Sequence, residues 1–201
     1  MREFITVVSG LPRSGTSMAM QMIVAGGIEP MTDGLRVADA DNPRGYFEFE
    51  RVKSLRTDKA WIDDARGKVV KVIHMLVPEL PEGRPYRIVF LERDIREVVR
   101  SQSTMLARSG KAGGGLPPDR LAAVFTQQLA QVHAWLAARP DFKVLPVRHA
   151  DLIADARGQA ARIAEFLGSP AASEGAPGGT PRLDREAMAA AVDPSLHRNR
   201  A

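Results

Sequence analysis

A short apolar run, Phe4-Ile5-Thr6-Val7-Val8, leads through Ser9-Gly10-Leu11-Pro12-Arg13-Ser14-Gly15-Thr16-Ser17 into Met18, Met20, Met22, Ile23 and Val24, before Gly26-Gly27. Mostly β-branched residues without polar alternation read as a strand buried on both faces. The pattern after Thr16 reads as a helix that the two glycines stop. A buried strand that turns through glycines into a helix restricts the chain to α/β architectures. Gly10 and Gly15 stand at the spacing of GxxxxGK[ST], a loop whose backbone amides cradle phosphate at a helix N-terminus. Thr16 occupies the place of the motif's Lys, and the cation lies inside the loop as Arg13. ATP and GTP hydrolysis relies on that Lys together with Mg²⁺. The departure therefore disfavours an NTPase, although a glycine turn that binds nothing has the same outline.

Further strands are expected at 69–75 (VVKVIHM), 86–91 (YRIVFL) and 142–147 (FKVLPV), the last pushed toward a sheet edge by Pro146. Helices fall between them. Asp94 and Glu97 have capping-box spacing ahead of Val98, Val99, Met105 and Leu106. Leu121 to Leu136 forms a long amphipathic helix, another runs from about Asp155 to Leu167, and Asp184 opens a short last one between Leu183 and Met188. Alternating strands and helices imply parallel strands with crossovers. The expected fold is α/β, a three-layer P-loop-type domain with a central mostly parallel sheet flanked by helices. All 201 residues read as one domain, with mobile Gly/Pro-rich loops at 109–118 and 168–181.

The chain has no cysteine, which excludes disulfides, thiolate nucleophiles and cysteine metal sites. Its four histidines include no pair on one helix face, so no metal is expected. The charge, 28 Lys+Arg against 24 Asp+Glu, fits an anionic ligand but is too mild to argue for nucleic acid. No apolar run is long enough to span a membrane and no signal peptide is evident, so a cytoplasmic protein is expected.

The segment SGLPRSGTSM resembles the 5′-phosphosulfate loop of sulfotransferases that use 3′-phosphoadenosine-5′-phosphosulfate (PAPS, product PAP). Arg93, closing YRIVFLER, is followed eight residues later by Ser101, and RDIREVVRS resembles the family's 3′-phosphate segment. Val147 to Leu152 and Glu165-Phe166-Leu167-Gly168 are similar to its late strand and helix, so the resemblance covers most of the chain. It implies that Arg13, Ser14, Gly15, Thr16 and Ser17 hold the 5′-phosphate, and that Arg93 and Ser101 hold the 3′-phosphate. It also implies that the C-terminal Arg198 and Arg200 take the place of the cytosolic members' Gly-rich nucleotide motif, which the chain lacks. Sulfuryl transfer to a hydroxyl or amine of a small molecule, lipid or sugar is the implied reaction. A sulfuryl group carries less charge than a phosphoryl group, which suits a loop without the Lys or a metal.

Arg13 suits stabilisation of the leaving phosphate. For the general base, two residues compete. Glu48 lies among Tyr46, Phe47 and Phe49, surroundings that would desolvate it and make it a better proton acceptor. It could equally be a helix N-terminal Glu held by the dipole. His74 follows a strand whose C-terminal end faces the site. In a regular strand, however, it would share a face with Val72 and not with Lys71, and it could equally be an ordinary strand-end histidine. The aromatic setting favours Glu48 over His74, with Asp33 third. Two alternatives stay open: a P-loop kinase of a small molecule, and a nucleotide-binding module without a working base.

Overall fold

The computed structural model describes residues 3–36, 45–108, 116–168 and 182–193. Among these residues four strands form one parallel sheet in the order β2-β1-β3-β4: β1 (Ile5–Gly10), β2 (Val69–Lys71), β3 (Tyr86–Glu92) and β4 (Phe142–Arg148). Six α-helices accompany them among the described residues: α1 (Thr16–Ala25), α2 (Ile95–Arg108), α3 (Pro118–Ala137), α4 (His149–Ala154), α5 (Ala156–Leu167) and α6 (Arg185–Ala190). Every residue of β1 is buried, as its unbroken apolar pattern requires.

Side-chain alternation separates two apolar layers. Val8, Val69, Val89, Leu91 and Val147 face α1, α5 and α6, together with Met20, Met22, Ile163 and Met188. Ile5, Val7, Val70, Ile88, Phe90 and Phe142 face the opposite side, against Trp61, Val77, Val132 and Leu136. This is the expected helix–sheet–helix arrangement. Arg87 of β3 lies 4.1 Å over the Phe4 ring and donates to the carbonyls of Phe166 and Gly168, tying the end of α5 to the sheet.

The structure departs from the sequence reading in two elements. The strand expected over 69–75 stops at Lys71, and a 3-10 turn covers His74–Glu79 with Pro78 inside it. Local pattern extends the strand to Met75, but the last backbone bond to β1 runs from the Val72 amide to the Val8 carbonyl, and the chain turns into the 3-10 segment at His74. The short helix α4 begins directly after β4, where no helix is expected. Pro146 does sit on an edge strand, and Asp94, Asp155 and Asp184 all cap helices through their side chains. Most of the two expected mobile loops (109–115 and 169–181) lies outside the described residues.

Candidate active site

The loop between β1 and α1 stands at the C-terminal edge of the sheet, where ligands of open α/β folds bind. Its backbone is unusual at two points: Arg13 has φ 69° and Gly15 φ 99°, both left-handed. The Ser14 amide donates to the Leu11 carbonyl at 3.1 Å and closes a turn. Helix α1 has no side-chain cap and no acidic residue in its first turn. The amides of that turn cannot be used within the helix, and the dipole adds partial positive charge, so this end suits an anion. Ser14 is buried within the loop, and among the described residues its Oγ has no hydrogen-bond partner.

Two arginines brace the loop. Arg13 Nε donates to Ser101 Oγ at 3.0 Å. Arg93 Nη1 donates to the Arg13 carbonyl at 3.0 Å, and its Nε donates to Glu97 Oε2 at 2.8 Å. Arg93 and Ser101 thus approach the loop together, but Ser101 partners Arg13 and Arg93 partners the loop backbone. The reason lies in the sheet: β3 pairs with β1 up to Gly10↔Leu91, which brings Arg93 under the loop. From β4, the start of α4 adds His149, which packs against Gly15 so closely that a Cβ there would lie 2.6 Å from His149 Cδ2.

On the β2 side, Lys71 Nζ donates to Ser17 Oγ at 3.3 Å and the Tyr46 carbonyl at 2.8 Å, and lies 3.5 Å from Glu48 Oε1. Burial holds its pKa below the usual lysine value. Arg36 Nη1 donates to the same Glu48 Oε1 at 2.7 Å, with its guanidinium 3.5 Å over the Tyr46 ring. The Glu48 carbonyl accepts from Thr32 Oγ1 at 2.8 Å. Asp33 accepts from the amides of Glu50 and Leu35, and the Glu50 bond above all holds its pKa down. It stabilises the backbone around Glu48 and is absent from the cavity wall.

These groups surround a cavity of about 310 Å³. Arg13, Gly15, Thr16, Ser17, Glu48, Arg93 and Ser101 line it. His74 does not: it is buried behind the wall, its ring nitrogen Nε2 is 3.0 Å from Gln128 Oε1 on α3, and burial lowers its pKa. Arg198 and Arg200 lie outside the described residues. Of the aromatic cluster, Tyr46 lines the cavity, whereas Phe49 and Trp61 meet edge to face at 5.3 Å, with Trp61 in the core. Sequence reasoning missed Arg36 and His149. Arg36 follows Leu35 and His149 follows Arg148, local settings too common to single either residue out.

Comparison with curated protein sequences gives no match. Among solved structures, a sulfotransferase from Alicyclobacillus acidocaldarius is similar at a TM-score of 0.50 and 15% identity, over 83% of this chain and 81% of that one. Retinol dehydratase, solved with androsterone and the inactive cofactor PAP, is similar at a TM-score of 0.51 and 16% identity, over 98% of this chain and 65% of that one. Both share the fold. Residues 5–177 match the sulfotransferase domain family, a span that includes β1 through α5 and every cavity residue named above, and the chain accordingly belongs to the sulfotransferase family.

Proposed function

We propose that the protein transfers a sulfuryl group from PAPS to a hydroxyl or amine of a small-molecule, lipid or sugar acceptor. The observation that carries this reading is the uncapped start of α1, braced by Arg13 and Arg93, facing a Lys71–Glu48 pair across one cavity. A dianionic 5′ group and a 3′-phosphate need several cations and amides, and the donor set here fits them. When bound, PAPS supplies an activated sulfuryl group on a phosphate leaving group. The loop amides and Arg13 bind phosphate oxygens and offset the charge that gathers there. Arg93 and Ser101 are the 3′-phosphate candidates, with Arg198 and Arg200 proposed for the same nucleotide. Lys71 brings from β2 the cation that the loop lacks at Thr16, next to Ser17.

Glu48 is the general base in this reading. Both of its cationic partners meet Oε1, and among the described residues Oε2 has no hydrogen bond, so that oxygen can accept the proton of the attacking group. His74 is the weaker candidate, because it is buried outside the cavity lining with Nε2 on Gln128.

Thermal unfolding with ligand tests the donor. PAP at a hundred times its Kd raises stability by about 2.7 kcal/mol, and ATP with Mg²⁺ does much less. A larger shift with ATP·Mg²⁺ and turnover of ATP would replace this reading with a small-molecule kinase. PAP binding without sulfuryl transfer to any of a broad set of phenols, alcohols, sugars and amines would leave a nucleotide-binding module.

A further inference from the structure

The two cations on Glu48 differ in how firmly they hold it. Lys71 stands 3.5 Å from Oε1, at the outer limit of a hydrogen bond, and divides its donors among three partners. Arg36 makes a short contact of 2.7 Å, and its guanidinium is itself fixed by stacking 3.5 Å over the Tyr46 ring. The Arg36 and Glu48 side chains are 45% and 26% exposed. A pair that open to water adds little to stability, so the contact matters chiefly through the rotamer it selects. With Oε1 held, Oε2 is the oxygen without a hydrogen bond among the described residues.

We infer that Arg36 is a positioning residue for sulfuryl transfer, braced on Tyr46 and fixing the Glu48 carboxylate by Oε1 so that Oε2 meets the acceptor. The inference rests on the reading of Glu48 as base. In the step it serves, the acceptor oxygen or nitrogen forms a bond to sulfur, the bond from sulfur to the PAP phosphate oxygen breaks, and the proton passes to Glu48 Oε2.

The test measures PAP release from PAPS with water, 2-naphthol, 1-octanol and a panel of sugars and amines, in the intact chain and in E48Q, R36A, R36K and R36A/E48Q. Glu48→Gln lowers kcat about 100-fold or more. Arg36→Ala lowers kcat about tenfold through misplacement of the base, with KM for PAPS and the Kd for PAP unchanged, and Arg36→Lys recovers most of that loss. R36A/E48Q is no slower than E48Q. If R36A keeps the parent kcat while E48Q is slow, or if R36A slows the E48Q background by the same tenfold, Arg36 does not act through Glu48 and the inference is wrong. If E48Q transfers at the parent rate, or the parent chain binds PAP and turns over none of the probes, the reading of Glu48 fails and the inference fails with it.

Discussion

Gly15 and Gly27 share a φ of +99° but meet different surroundings. A Cβ at Gly27 meets nothing within 4 Å, whereas at Gly15 it would lie 2.6 Å from His149 Cδ2. Gly27→Ala therefore costs the backbone strain alone, about 1–2 kcal/mol. Gly15→Ala adds displacement of the His149 ring and of the loop. It is expected to lower Tm more than Gly27→Ala and to weaken PAP binding at least about tenfold, a shift of 1.4 kcal/mol, with H149A restoring part of the loss in the double variant. Equal Tm losses in the two alanine variants would show that the ring yields without cost. At this scale the loop was legible, because spacing alone places Gly10, Arg13, Gly15 and Ser17 at a strand–helix junction. Arg36 and His149 were not, since each acquires its meaning from a partner brought in by folding: Glu48 across the 37–44 segment for one, Gly15 across most of the chain for the other.

Helix caps are the elements that local chemistry announces most plainly. Asp184 accepts from the Ala187 amide at 2.9 Å, while its own amide donates to the Gly26 carbonyl at the end of α1. Asp184→Ala removes the side-chain bond and leaves the backbone bond, so a loss of about 1 kcal/mol is expected in urea unfolding. A loss several times larger would mean that the cap also orients Leu183 and Met188 in the core. The lengths of β2 and α4 were illegible for a different reason. An apolar run such as VVKVIHM carries no mark of where pairing stops, and here the bonding to β1 ends at the Val72 amide on the Val8 carbonyl.

Across the whole molecule, His74 joins the sheet side to α3 through Gln128, and burial is the main cause of its lowered pKa, opposed by the Gln128 bond. The folded state therefore binds fewer protons than the unfolded state once the pH drops below about 6.5, the ordinary histidine value, and stability declines there until the folded group also titrates. The carboxylates with lowered values, Asp33, Asp58 and Asp63, act in a separate window, below about 3.8. Between pH 7.5 and 5.5 the parent chain is expected to lose more Tm than His74→Gln; parallel curves would assign the acid sensitivity elsewhere.

Helix α6 packs against α1, with Met188 filling the notch at Gly26, where a Cβ would come within 2.7 Å of its side chain. In sequence the two helices stand far apart, so α1 emerges in synthesis well before its cover. Until residues 185–192 are available, Met22 and Ile23 lack part of their burial. The β1–α1 loop thus matures on the timescale of a contact across most of the described chain and not on that of its own neighbourhood.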